Sequence, residues 1–189
     1  QSVFGLPCVV AINRFPSDTE AELDLIASEC EKLGVNVKLS EVWAKGGEGA
    51  LELADEVMRL VDEPSELRFA YEDGADIADA LESIATKVYR ADGVDFTPAA
   101  KRQLAELRAN GFGNLPVCVA KTQYSFSDNA SMLGAPENFR ITVRELKVSA
   151  GAHFVVALTG SVLTMPGLPK VPAAEGIDVD DDGVITGLF

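Results

Sequence analysis

The stretch PCVVAINRFPSDTEAELDLIASECEKLGVNVKLSEV, residues 7–42, decides the fold class. Pro7 to Asn13 is a short apolar run ending in a polar loop, as a buried parallel strand does. Ser17-Asp18-Thr19-Glu20 follows with capping-type residues and early acids, which opens a helix, and Gly34 closes it. Leu23, Ile26, Ala27, Cys30 and Leu33 recur at helical spacing and are expected to face the core. Val35 to Val42 alternates apolar and polar residues and reads as a second strand. A second helix, about Gly49 to Asp62, is expected to bury Leu51, Leu53, Ala54, Val57, Met58 and Val61. The order strand, helix, strand, helix implies a right-handed parallel crossover.

Beyond this unit, Pro64 marks a break. Asp76 to Tyr89 reads as an amphipathic helix, and Thr97-Pro98 opens another that ends near Asn110-Gly111. Val94-Asp95-Phe96 between them is a short strand. Leu115 to Ala120 (LPVCVA) has the look of the opening strand. Phe139 to Val148 alternates as an extended segment, and His153 to Leu158 (HFVVAL) reads as another buried strand. The expected class is α/β: a mostly parallel sheet with flanking helices plus a helical lobe. The divisions are residues 1–63 as an α/β segment, 64–111 as the helical lobe, and 112–189 as completion of the sheet followed by an irregular segment rich in Gly, Pro and Asp. A parallel sheet wants neighbours, and the chain enters a buried strand with no helix before it. The natural protein is therefore expected to extend further toward the amino terminus.

Composition narrows the classes of function. With 47% hydrophobic residues among 189, a packed core is affordable. A net charge of −14 disfavours a general nucleic-acid or anionic-membrane binder. No apolar run is long enough for a transmembrane helix, and there is no signal-peptide pattern, so a cytoplasmic protein is expected. Cys8 and Cys118 lie in apolar strand-like runs and Cys30 in a helix-like segment, which reads as buried thiols without metal-ligand spacing.

Phe15 lies just past the first strand and Trp43, the sole tryptophan, just past the second. Parallel strands joined by one helix end on the same sheet edge, where open α/β sheets bind their ligands. Two aromatic faces there can hold a flat heterocycle; alternatively, each ring covers the end of the core. Lys45, Gly46 and Gly47 lie in a glycine-rich turn that could approach a ligand or an anion, or simply join strand to helix. Glu48 is a poor neighbour for phosphate, and G-x-x-x-x-G-K-[ST] is absent from the chain. The loop Lys121 to Asp128 follows another strand end and could meet a nucleotide or a second subunit, or be a capped surface loop. His153 lacks a paired nucleophile and reads as structural. Asp178, Asp180, Asp182 and Gly183 imitate the start of a calcium loop, but its twelfth position is Phe189, so no metal site is expected.

Five ordered stretches together resemble the formate–tetrahydrofolate ligase (10-formyltetrahydrofolate synthetase) family, in its carboxyl-terminal third. They are VVAINRFPSDTEAEL (Val9 to Leu23), VWAKGGEGA (Val42 to Ala50), LPVCVAKTQYSFSD (Leu115 to Asp128), ITVRELKVSAGAHFVVALTG (Ile141 to Gly160) and TMPGLPKVPAAEGIDVDDDGVITGLF (Thr164 to Phe189). The resemblance implies a ligase that converts ATP, formate and tetrahydrofolate to ADP, phosphate and 10-formyltetrahydrofolate, with Mg2+ accompanying ATP. It implies that the pterin stacks between Phe15 and Trp43, with Leu39 completing the pocket, and that residues 1–63 are the folate-binding segment. It also implies a separate amino-terminal region carrying the phosphate-binding loop, and a homo-oligomer. No catalytic residue is then expected in this chain, which alone would be inactive. The rival expectation is a stand-alone binding or assembly module for another flat heterocycle or a partner. His153 stands where the family leads one to expect glycine, Ser161 where an acid is expected, and Ala50 where a further glycine is common; Asn129-Ala130 replace an acidic-proline pair.

Overall fold

The computed structural model describes residues 1–162 and 170–187; residues 164–169 and 188–189 of the last matching stretch lie outside them. Over the described residues the chain is mixed α/β and forms two compact units, Gln1–Arg90 and Ala91–Phe189. Its strands fall into three small sheets rather than one.

In the first unit β1 (Val9–Asn13) and β2 (Asn36–Ser40) pair in parallel, in register from Val9↔Asn36 to Asn13↔Ser40. The crossover between them is α1 (Glu20–Lys32). Thr19 caps it with a reciprocal box: its hydroxyl accepts from the Glu22 amide, and the Glu22 carboxylate accepts from the Thr19 amide at 2.9 Å. The helix ends where Gly34 takes φ +68° and its amide donates to the Glu31 carbonyl. After β2 come a single helical turn, α2 (Val42–Lys45), a 3-10 turn over Gly46–Ala50, and α3 (Leu51–Val61). Helices α1 and α3 both pack on β2. Farther along, α4 (Ile77–Lys87) is capped by Asp76, whose carboxylate accepts from the Ala78 amide, and Ile77, Ala80, Leu81 and Ala85 are buried.

The second unit is built on a mixed sheet in the order β3 (Val94–Phe96), β5 (Ile141–Ser149), β6 (Phe154–Thr159), β4 (Val117–Ala120). The outer pairs are parallel and the central β5–β6 pair is antiparallel. Helix α5 (Pro98–Ala109), capped by Thr97 with Pro98 in its first turn, packs on β5. Ala100, Leu104, Ile141, Val143, Leu146, Val155, Ala157 and Leu158 form the buried core. Arg140 clamps the β3 edge, donating to the Asp92 and Val94 carbonyls and to the Asp95 carboxylate. A two-stranded hairpin, β7 (Asp178–Val179) with β8 (Ile185–Thr186), follows.

Two burial expectations are corrected. On α3, Leu51, Val57, Met58 and Val61 are exposed, Leu53 is only half-buried and Ala54 is exposed; on α1, only Leu23 is buried. A two-stranded sheet offers each helix a narrow contact surface, so the apolar stripe outruns the area that covers it. Cys8 and Cys118 are exposed, and all three cysteines are free. Cys118 sits on β4, the edge strand of its sheet, and Cys8 immediately precedes β1.

The side chain that α3 does bury is Glu56. Its carboxylate accepts from the Asn36 amide group at 2.7 Å, and from Arg59 at 2.7 and 3.0 Å, tying the start of β2 to the helix. The Arg59 guanidinium, then the Asn36 hydrogen bond, hold this carboxyl down at about 2 against an ordinary 4.5. A depressed folded-state value stabilises the fold fully above the unfolded value and is lost as pH falls through the folded one. Urea unfolding between pH 5 and pH 2 should therefore show Glu56→Gln losing less stability on acidification than the wild type. A parallel slope in the two proteins would count against the carboxylate as the acid-labile tie. Elsewhere His153 holds φ +57° at the turn into β6, a left-handed conformation that favours glycine. His153→Gly should raise stability by about 0.5–1 kcal/mol by thermal unfolding, the left-handed strain outweighing glycine's extra chain entropy.

Candidate functional site

The carboxyl ends of β1 and β2 lie side by side because Asn13 pairs with Ser40. The Arg14 amide donates to the Ser40 carbonyl at 3.0 Å and carries the pairing one residue further. Phe15 begins a tight turn: its amide donates to the Asp18 carboxylate at 2.8 Å, and the Asp18 amide donates back to the Phe15 carbonyl at 3.0 Å. Pro16 suits the second position of such a turn. Phe15 is 54% exposed.

Trp43 lies three residues past Ser40, in α2, and is 73% exposed. Its turn of helix hangs on Glu41, whose carbonyl accepts from the Ala44 and Lys45 amides at 3.1 and 2.9 Å. The Glu41 amide in turn donates to the Gly49 carbonyl at 2.9 Å. Here the backbones touch: a Cβ on Gly49 would lie 2.5 Å from the Glu41 carbonyl carbon and oxygen. Gly49 is therefore needed for close approach, whereas Gly46, at φ +59°, and Gly47 face open space. Ala50 holds φ −125°, which needs no glycine. Leu39 is half-buried on β2, opposite Ile12. The two rings thus stand on exposed segments at one sheet edge, with Leu39 on the strand leading to it.

Charges alternate across that edge. Arg14 meets Glu20 at 2.5 Å and Glu41 at 3.8 Å, and Glu41 meets Lys45 at 2.5 Å. The hydrogen bond from Lys45 holds the Glu41 carboxyl below its ordinary range; partial burial opposes this, and the charges of Lys45 and Arg14 add to it. Lys45, offered by sequence as a loop contact, is engaged with Glu41. Nothing in the sequence pairs Arg14 with Glu41, and Gly49 marks there only the start of the second helix.

In the second unit, the Lys121 ammonium donates to the Thr122 carbonyl at 3.0 Å, to the Ser127 carbonyl at 2.9 Å, and to the Ser125 carbonyl. Burial lowers its pKa, with Asp128 opposing. Lys121 folds its loop around itself, leaving Tyr124 and Phe126 exposed. Asp128 accepts from the Thr142 amide at 2.8 Å, and Asn129 makes its own turn through the Ser131 amide. Asp180 accepts from the Asp182 and Val184 amides, which makes it the turn residue between β7 and β8. His153 is exposed. Among the described residues no helix is long and apolar enough to cross a membrane.

The family model described as formate–tetrahydrofolate ligase matches residues 1–189, the whole of the chain.

The contact at Gly49 yields a paired test. Gly49→Ala forces a methyl group against backbone that cannot rotate away, and should destabilise the chain by about 1–3 kcal/mol, as overpacking does. It should also shift the fluorescence of Trp43, the sole tryptophan. Gly47→Ala, with open space before it, should do neither. Equal effects from both substitutions would refute the role given to the Glu41–Gly49 contact.

Proposed function

The chain belongs to the formate–tetrahydrofolate ligase family, and we propose that within it residues 1–63 supply the folate wall of the enzyme. The pterin lies between the Phe15 and Trp43 rings, with Leu39 completing the pocket and Lys45, Gly46 and Gly47 bordering it. The observation that carries this reading is the parallel register Asn13↔Ser40, which brings two exposed aromatic segments to one carboxyl edge. Ligands of open α/β sheets bind at such edges.

The reaction joins formate to tetrahydrofolate at the cost of ATP, with Mg2+ accompanying the nucleotide. This chain's part is to hold the folate ring flat, so that its nucleophilic amine faces the activated formyl group. The triphosphate is held by a phosphate-binding loop outside residues 1–189, because G-x-x-x-x-G-K-[ST] does not occur in the sequence. Its partners are then that amino-terminal region and further copies of the same subunit. The 189-residue chain alone turns over no ATP.

Each stacked ring adds about 0.5–1.5 kcal/mol beyond area burial. In the complete ligase, Phe15→Ala and Trp43→Ala should each raise KM for tetrahydrofolate or slow formyl transfer about two- to tenfold, with KM for ATP nearly unchanged. In the isolated chain, tetrahydrofolate should quench Trp43 emission, and no ATP-dependent product should form. Unchanged folate kinetics in both variants would overturn the site, and ATP-dependent turnover by the chain itself would overturn the division of labour.

A further inference from the structure

We propose that Arg14 and Glu41 are positioning residues that set the gap between the Phe15 and Trp43 rings; this rests on the reading of those rings as the folate clamp. Phe15 sits on the loop after β1 and Trp43 in α2, with α1 and β2 between them in the chain. What joins these segments beyond the last strand pair is one backbone hydrogen bond, Arg14 amide to Ser40 carbonyl, and one side-chain bridge, Arg14 to Glu41 at 3.8 Å.

The bridge is the middle of a longer array. One terminal nitrogen of Arg14 reaches Glu20, the first residue of α1, at 2.5 Å, and the other faces Glu41. The second carboxylate oxygen of Glu41 takes Lys45, the last residue of α2, at 2.5 Å. The signs therefore run negative, positive, negative, positive from the start of α1 to the end of α2. Phe15 adjoins Arg14 in the chain, and Trp43 lies two residues past Glu41. Both central side chains are about one-quarter to one-third exposed, Arg14 at 31% and Glu41 at 24%, so solvent screens this pair less than an open surface pair. Arginine suits the central place because its planar fork serves two carboxylates at once, which a single ammonium does not do. Glu41 suits its place because its backbone also anchors the turn that carries Trp43. A shift of this bridge changes the distance between the rings without touching a ligand.

The test uses steady-state kinetics of the complete ligase. Arg14→Lys and Glu41→Gln should each raise KM for tetrahydrofolate about three- to tenfold, with KM for ATP within about twofold. The double variant should be no worse than the worse single, because both changes break one link. Lys32→Gln, which breaks the exposed Lys32–Glu29 pair on α1, serves as the control and should change nothing. Should Glu41→Gln fold poorly, Glu41→Asp keeps the charge, falls short of Arg14, and carries the same expectation. If the Arg14 and Glu41 variants leave folate KM unchanged while Phe15→Ala raises it, the positioning role is wrong and the clamp stands. If Phe15→Ala also leaves it unchanged, the clamp falls and this inference with it. A loss that moves both KM values together with the unfolding midpoint marks a merely structural role and likewise overturns the proposal.

Discussion

The parallel register of β1 and β2 is the constraint on which the first unit depends. Side chains alternate along a strand with period two, so a slip of one residue would turn every side chain of β2 to the other face. It would also move Ser40 away from Arg14 and carry the Trp43 turn along the edge. The register is fixed at both ends. At the entry, buried Glu56 holds Asn36 to α3. At the exit, Arg14 bonds Ser40, and the Glu41 amide bonds Gly49. The crossover length is fixed independently by the Thr19–Glu22 box and the left-handed Gly34. Contacts at the entry, at the exit and along the crossover thus agree on one alignment, which is what a well-specified fold requires.

The parts of this fold legible in the sequence are those whose causes are local. Thr19, Asp76 and Thr97 announced their helices because a cap is an interaction between residues two or three positions apart. Gly34 and Asn110 marked ends for the same reason. Strand direction was less legible, because alternation is the same in either direction. The antiparallel β5–β6 pair follows from the short link Ala150 to His153, too brief for a parallel crossover. Its tight return is why His153 occupies a left-handed conformation where the family leads one to expect glycine. Burial of α3 was not legible. Periodicity in Leu51, Met58 and Val61 shows that one face is apolar, but not how much of that face the first unit covers.

Of the candidate site, strand ends and family resemblance point to the two aromatic residues, and the structure puts both on exposed segments at one edge. The scaffold beneath them could not. Arg14 and Glu41 are 27 residues apart in sequence, and nothing in either neighbourhood names the other. In sequence Gly49 marks only the start of the second helix, after two other glycines. Its distinction from Gly47 is a matter of which backbone passes within contact distance, a fact of tertiary structure alone.

The electrostatics of the edge bear on what kind of ligand suits it. Lys45 and Lys121 were the two lysines at strand ends that a sequence reading could offer to a phosphate. Lys45 is paired with Glu41, and Lys121 is turned inward on the carbonyls of its own loop. At the β1–β2 edge Glu20 and Glu41 balance Arg14 and Lys45, leaving no net positive field of the kind that gathers a polyanion. What remains presented there is two aromatic faces and a stretch of backbone bared at Gly46 and Gly47. Such an edge offers aromatic surface for stacking and little net charge to gather a polyanion. A flat heterocycle fits that description better than a triphosphate. The same balance gives the ion pairs a mechanical part: they tie together the segments that carry Phe15 and Trp43.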